Sequence, residues 1–320
     1  MYDGFYNLSR KPFQLNSDSD FFFKSEVHKR ALAYMRYGIT QGEGFIVITG
    51  KPGTGKTMLI KQLVNSINRE KVTLGLIVSS QVGADDLLRV VATTLNVPYE
   101  GEDKATLLDR LERFLVDQAL KGKRVLMIVD EAQNLPKTSL EELRMLSNFE
   151  RSGKTLLQIF LVGQKQFSKT LALPEMEQLR QRVVATYQLK SLNEEQTKNY
   201  ILFRLKRAGW QDSPQFEDDA FPLIFHHSRG VPRKINTLCE RVMMFGFLDE
   251  LQVLDRTVIQ KVIDDIHEEE AIEAEDMPSN AAVALGRTDP GNLERRVVAL
   301  EKLLAELHQV LSTHHNGLKP

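Results

Sequence analysis

The chain has 320 residues, 42% hydrophobic and 27% charged, with a formal net charge of −1; this composition fits about two globular domains and excludes a disordered or collagen-like chain. Near-neutral charge provides no global attraction to nucleic acid or anionic lipid. A single cysteine rules out an internal disulfide, and neither a basic-then-apolar leader nor a run of about eighteen apolar residues occurs, so a cytoplasmic location without direct membrane insertion is expected.

In chain order, the first recognisable helix face carries His28 with Leu32 and Met35, where a histidine is expected to be structural. The apolar run Phe45–Thr49 then leads into Gly50-Lys51-Pro52-Gly53-Thr54-Gly55-Lys56-Thr57, and Met58-Leu59-Ile60 opens a helix. A glycine-rich loop between strand and helix curls so that successive N–H groups point into one concavity, at the positive end of the helix. This is the Walker A pattern: Gly50, Pro52, Gly53, Thr54, Gly55 and Met58 shape a phosphate cradle, Lys56 reaches the β- and γ-phosphates of ATP, and Thr57 ligates Mg²⁺. Leu74–Ser79 is the second strand. The third, Val125–Val129, is continuously apolar, as in a strand buried on both faces, and ends in Asp130-Glu131. Asp130 would hold Mg²⁺ through water, and Glu131 is placed to act as base toward a water in line with the γ-phosphate. ATP hydrolysis is therefore expected.

Leu156–Val162 and Val183–Leu189 complete five strands separated by helical patterns, which predicts an α/β fold: a parallel five-stranded sheet with helices on both faces and the site at the strands' carboxyl ends. This core is assigned to residues 1–190. After it the pattern is helical only, predicting a small all-α lid over 191–270. Ser191-Leu192-Asn193-Glu194 is read as a capping box, and helices follow near 217–228, 232–247 and 255–268. Cys239 falls at helical spacing between Ile235 and Val242 and reads as a buried small residue. Arg204, Lys206 and Arg207 read as a solvated helix face. Residues 271–292 read as a flexible linker. In 293–315, Leu293, Val297, Leu300, Leu304, Leu307 and Leu311 form a short coiled-coil seam, or a helix folded back on the lid. The pairs His226-His227 and His314-His315 lack partners at ligand spacing, so no metal other than Mg²⁺ is expected.

Leu161-Val162-Gly163-Gln164, Gln178-Leu179-Arg180-Gln181-Arg182 and Gly230-Val231-Pro232-Arg233 resemble the remaining parts of an AAA+ ATPase. More narrowly, Phe5-Tyr6-Asn7-Leu8, Pro12-Phe13, Phe21-Phe22-Phe23 with His28, and Asp130-Glu131-Ala132-Gln133 resemble the general-secretion-pathway protein A family, nearest to the subfamily encoded beside exosortase and exopolysaccharide genes. The resemblance implies that Gln164 orients the attacking water, that Arg180 or Arg182, with Arg182 preferred, is a finger acting across a subunit interface, and that Arg233 senses the γ-phosphate. It also implies a homo-oligomer acting on inner-membrane secretion or polysaccharide-export components, peripheral to the inner membrane through a partner. Pro12, Phe13 and Phe21–Phe23 either pack over the adenine or cap the sheet edge. A second reading, a DNA-transposition regulator with a similar core, is disfavoured by the charge and the absence of a recognisable DNA-binding module.

Overall fold

A computed structural model describes residues 2–16, 18–78 and 82–276. Residues 1–264 form one compact unit; 265–320 belong to a second, of which only helix through Asp276 is described. The coiled-coil seam expected at 293–315 lies outside the described residues, as does most of the expected linker. Residues 271–276 of that linker are instead the end of a helix, a stretch whose alanines and glutamates are strong helix formers.

The five strands β1 (Phe45–Gly50), β2 (Val72–Val78), β3 (Arg124–Asp130), β4 (Leu157–Gln164) and β5 (Val183–Leu189) form one sheet in the order β2-β3-β4-β1-β5, every pairing parallel. Period-two alternation sorts the side chains. Phe45 and Val47 of β1 enter a core with Leu87, Val91, Leu111 and Leu143 on one face, whereas Ile46 and Ile48 meet Leu32, Met35, Leu59 and Leu63 on the other. The first face is covered by α3 (Ala84–Thr94), α4 (Lys104–Leu120) and α5 (Lys137–Leu146), the second by α1 (Glu26–Gln41) and α2 (Lys56–Ser66). Because both faces are covered, β1 is buried throughout, whereas the two edge strands alternate, β5 with exposed Val184, Thr186 and Gln188 and β2 with exposed Leu76 and Val78. Gly50 is in register with Gln164 and Val78 with Asp130, so the carboxyl ends of these strands meet along one rim.

Helices α6 (Lys165–Leu171) and α7 (Glu177–Gln181) lie between β4 and β5, and the helical part contains α8 (Glu194–Arg207), α9 (Ala220–Ser228), α10 (Pro232–Leu248) and α11 (Arg256–Asp276). Between α5 and β4, and inside the helical part, are paired two-residue strands that sequence periodicity does not reveal: Glu150–Arg151 with Lys154–Thr155, and Gln215–Phe216 with Val253–Leu254. The cap of α8 is Asn193, not Ser191. Its side chain accepts from the Gln196 N–H, and the Gln196 side chain accepts from the Asn193 N–H. Gly230 ties the start of the helical part to the turn before α10: at φ +66° it passes so near Leu192 that an added Cβ would fall 1.9 Å from the Leu192 carbonyl oxygen, while the Leu192 N–H donates to Gly230 O at 2.9 Å.

The N-terminal segment lies on the helical part. Tyr2 Oη donates to Glu240 (2.7 Å), Tyr6 Oη to Leu251 O (3.0 Å) and the Ser9 N–H to Ala208 O (2.8 Å). Arg204, read from sequence as solvated, is 5% exposed, because this segment covers its side of α8. Its guanidinium donates to the carbonyls of Pro12 and Gln14 and to Tyr200 Oη. Cys239 is fully buried, which pushes its thiol pKa well up.

Candidate active site

The loop between β1 and α2 turns on Gly53 (φ +77°) and Gly55 (φ +93°), positions where a side chain would be strained. The loop is also crowded. A Cβ on Gly53 would come within 2.6 Å of Arg233 Cβ, and one on Gly55 within 3.0 Å of His28 Nε2. His28 braces the loop: Nε2 meets Thr54 O at 3.1 Å and Nδ1 meets Ser25 Oγ at 2.7 Å. Since a carbonyl only accepts, Nε2 carries the proton and Nδ1 accepts from the Ser25 hydroxyl. Burial lowers the His28 pKa, against the opposing effect of its bond to Thr54, so the ring is held neutral and structural, as expected.

Lys56, 5% exposed, opens α2 and extends its ammonium back along the loop, donating to Gly50 O (3.4 Å) and Lys51 O (3.3 Å). Burial lowers its pKa, while Glu131 and Asp130 act in the opposite direction. Asp130, 3% exposed, accepts from Thr57 Oγ1 at 2.9 Å through Oδ2 and from the Glu131 N–H at 2.9 Å through Oδ1. Burial raises the Asp130 pKa; its two hydrogen bonds oppose this. Thr57 and Asp130 thus place two hard oxygen donors side by side, which fits Mg²⁺ held by few protein ligands and completed by phosphate and water. Among the described residues no group of three or more His, Cys, Asp or Glu is placed to hold a metal.

Glu131 has φ +52°, a left-handed conformation that turns the chain sharply off β3 and into the turn Ala132–Asn134. Its Oε2 accepts from Gln133 Nε2 at 2.6 Å, and Gln133 Oε1 accepts from the Gln164 N–H at 2.8 Å. Sequence reasoning gave Gln133 no role, although it stands two residues from Glu131, the expected base. Lys56, Thr57, Glu131, Gln133, Gln164 and Arg233 line one cavity of about 570 Å³, a size suited to a nucleotide. Its far wall includes Leu15, Phe21–Phe23, Tyr200 and Asn236. Phe21–Phe23 therefore lie at the cavity, whereas Pro12 and Phe13 are buried outside its lining; Phe22 is edge-on to His28 at 5.2 Å, and the guanidinium carbons of Arg10 (4.5 Å) and Arg204 (4.7 Å) lie over the Phe21 ring.

Arg233 stands in the first turn of α10, its N–H donating to Gly53 O at 3.2 Å, so lid and loop are in direct contact. Its side chain is exposed at the cavity. Arg180 and Arg182 do not line the cavity. Arg182 is half-buried and donates to Ser147 O (3.2 Å) and Oγ (3.4 Å) at the end of α5, while its own carbonyl receives the Phe45 N–H. Arg180 donates to Leu171 O (3.0 Å), lies 3.9 Å from Glu177 and is otherwise exposed.

Residues 39–171 match the protein family described as AAA domain. The chain is 36% identical over 248 residues to the general secretion pathway protein A of Aeromonas hydrophila, spanning 77% of this chain and 45% of that protein. It is 29% identical over 136 residues to the ATP-dependent target DNA activator B of Escherichia phage D108, covering 42% and 41% of the two chains. The chain thus spans less than half the length of these curated relatives. Among solved structures it is similar to the Aeropyrum pernix ORC2 protein in ADPNP–ADP complexes, with a TM-score of 0.61, 15% identity and coverage of 87% of this chain and 75% of that one. Cdc6p from Pyrobaculum aerophilum gives 0.57 and 15%, covering 74% and 68%. The fold is that of a P-loop AAA domain followed by helices.

Proposed function

We propose that this chain is a Mg–ATP-hydrolysing AAA+ ATPase of the general secretion pathway protein A type, of the subfamily encoded beside exosortase and exopolysaccharide genes, working as an oligomer on inner-membrane components of an envelope secretion or polysaccharide-export system. The observation that carries the enzymatic part is the 2.9 Å hydrogen bond from Thr57, which lines one cavity with Lys56, Glu131 and Gln164, to the buried carboxylate of Asp130. The secretion part rests on the similarity to the Aeromonas protein.

In this reading the loop N–H groups and Lys56 bind the phosphates, and Thr57 and Asp130 hold Mg²⁺. The bound ion supplies charge neutralisation at the β- and γ-phosphates. Glu131 takes a proton from the in-line water as the water oxygen bonds to the γ-phosphorus and the bridging P–O bond breaks, its electron pair leaving with ADP. Gln164 orients that water. Arg233 meets the γ-phosphate and links nucleotide state to lid angle, because its own N–H already rests on Gly53. The finger supplied to a neighbouring subunit is Arg180 in preference to Arg182, since Arg182 is engaged at the end of α5 and Arg180 is exposed. Attachment at the cytoplasmic side of the inner membrane is through a partner; among the described residues no helix is long and apolar enough to cross a membrane.

Phosphate release from Mg–ATP that stops on chelation tests the enzymatic part, and capture of inner-membrane secretion or export components tests the pathway. Similarity to the phage DNA activator keeps a DNA-transposition regulator as the second reading. A salt-sensitive shift of duplex DNA without capture of envelope components would favour it.

A further inference from the structure

We propose that Gln133 is a positioning residue for hydrolysis, its side-chain amide tying the Glu131 carboxylate to the carboxyl end of β4 so that base and Gln164 are held at a fixed separation. This rests on the ATPase reading of the same site. The amide's orientation is fixed by chemistry: the Gln164 N–H can only donate, so the atom facing it at 2.8 Å is Oε1, and Nε2 faces Glu131 at 2.6 Å. The second Nε2 hydrogen is directed to Asn134 Oδ1 at 3.3 Å, so the amide is held at both ends.

The neighbouring backbone is shaped around this contact. Glu131 stands in the left-handed region, which brings Gln133 back beneath the carboxylate. A Cβ at position 163 would come within 2.9 Å of Gln133 Oε1, so Gly163 is the residue type that admits the amide at the end of β4. A glutamate side chain has several rotatable bonds, and hydrolysis needs its carboxylate held on the water's side of the cavity. Gln133 occupies only Oε2, which leaves Oε1 for the water.

A role confined to packing would make different demands. Satisfying the Gln164 N–H needs only the acceptor, which Gln133→Glu retains; holding Glu131 needs the donor, which that variant loses. The test measures kcat and KM for Mg–ATP in the full chain for wild type, Gln133→Glu, Gln133→Leu and Glu131→Gln, with the thermal midpoint of each. Expected is a loss of about tenfold to a hundredfold in kcat for both Gln133 variants, with KM within about twofold, and little further loss when Gln133→Leu is added to Glu131→Gln. Wild-type kcat in Gln133→Glu overturns the proposal, as does a loss in both variants carried by KM alone. If Gln133→Leu melts far below wild type, Gln133→Glu carries the decision. Absence of turnover in the wild-type chain removes the ATPase reading and this proposal together, whereas wild-type turnover with unaffected Gln133 variants removes this proposal alone.

Discussion

Arg204→Met removes one guanidinium and keeps a side chain of similar length, so its effect measures what the N-terminal segment gains from being tied to α8. The wild-type group donates to Pro12 O, to Gln14 O at 3.2 Å and to Tyr200 Oη at 3.0 Å, and lies 4.7 Å from the Phe21 ring. Each buried acceptor left without a donor costs about 1–3 kcal/mol. Removing a buried charge returns part of its desolvation, and Tyr200 keeps its bond to Asn236 at 2.8 Å. Half-buried Gln14 O keeps a contact from Asn236 Nδ2 at 3.5 Å, so the buried Pro12 carbonyl dominates, for a net loss of about 2 kcal/mol. For a unit of this size that is a fall of about 4–8 °C in thermal midpoint. Calorimetry reads it, and limited proteolysis should show cleavage moving into residues 2–16. Arg204→Lys should recover only part of the loss, because an ammonium cannot serve the same fork of acceptors. A midpoint within about 2 °C of wild type, with the segment still protected, would refute the claim that Arg204 anchors it.

Glu131→Gln should lower kcat by about 10²–10⁴-fold with ATP affinity nearly unchanged, whereas Lys56→Ala should weaken ATP binding by about tenfold or more through loss of a charge-assisted contact; calorimetric titration separates the two, and equal loss of binding in both would refute the assigned roles. Arg180→Ala should reduce turnover per assembled subunit by about 10³-fold and be partly complemented on mixing with Glu131→Gln subunits, while Arg182→Ala should chiefly lower the thermal midpoint; activity per subunit that stays flat as light scattering records assembly would count against a finger in trans. Arg233→Ala should lose more affinity for ATP than for ADP, and similar losses for both would make Arg233 structural. Burial holds the folded-state pKa of His28 below its ordinary value of about 6.5. The unfolded chain therefore binds more protons between those two values, so this contribution is present at neutral pH and declines as pH falls below about 6.5. Unfolding free energies across that window should lose this part of their slope in His28→Gln, and an unchanged slope would show that another group is responsible.

The parts of the fold and site that sequence makes legible are those where the requirement is local. Strands β1, β3 and β4 are buried on both faces, so an unbroken apolar run is the pattern their environment demands. The glycine-rich loop is legible for a related reason: left-handed turns at Gly53 and Gly55, and a lysine and hydroxyl after them, are requirements of a few adjacent residues. The two-residue strand pairs fail this condition, being shorter than any periodicity that could announce them. Arg204 fails it differently. On α8 alone it belongs to a polar face, and it becomes buried only because carbonyls about 190 positions earlier in the chain fold over it.

Gln133 and Arg182 show the same dependence on long-range contact within the site. Nothing in Asp130-Glu131-Ala132-Gln133 indicates that Glu131 adopts φ +52°, yet that angle decides whether Gln133 lies beside the carboxylate or away from it. Nothing near Arg182 indicates that Ser147 will receive its guanidinium, and that contact favours Arg180 for a role outside the subunit. Residue types that perform chemistry can be recognised from their neighbours in sequence, because the chemistry acts over a few ångströms of adjacent backbone. Residues that hold those groups in place are recruited from whichever strand end or helix happens to lie beside them. Here that neighbour is the Gly163 end of β4 for Gln133 and the end of α5 for Arg182, and only the packed sheet determines both.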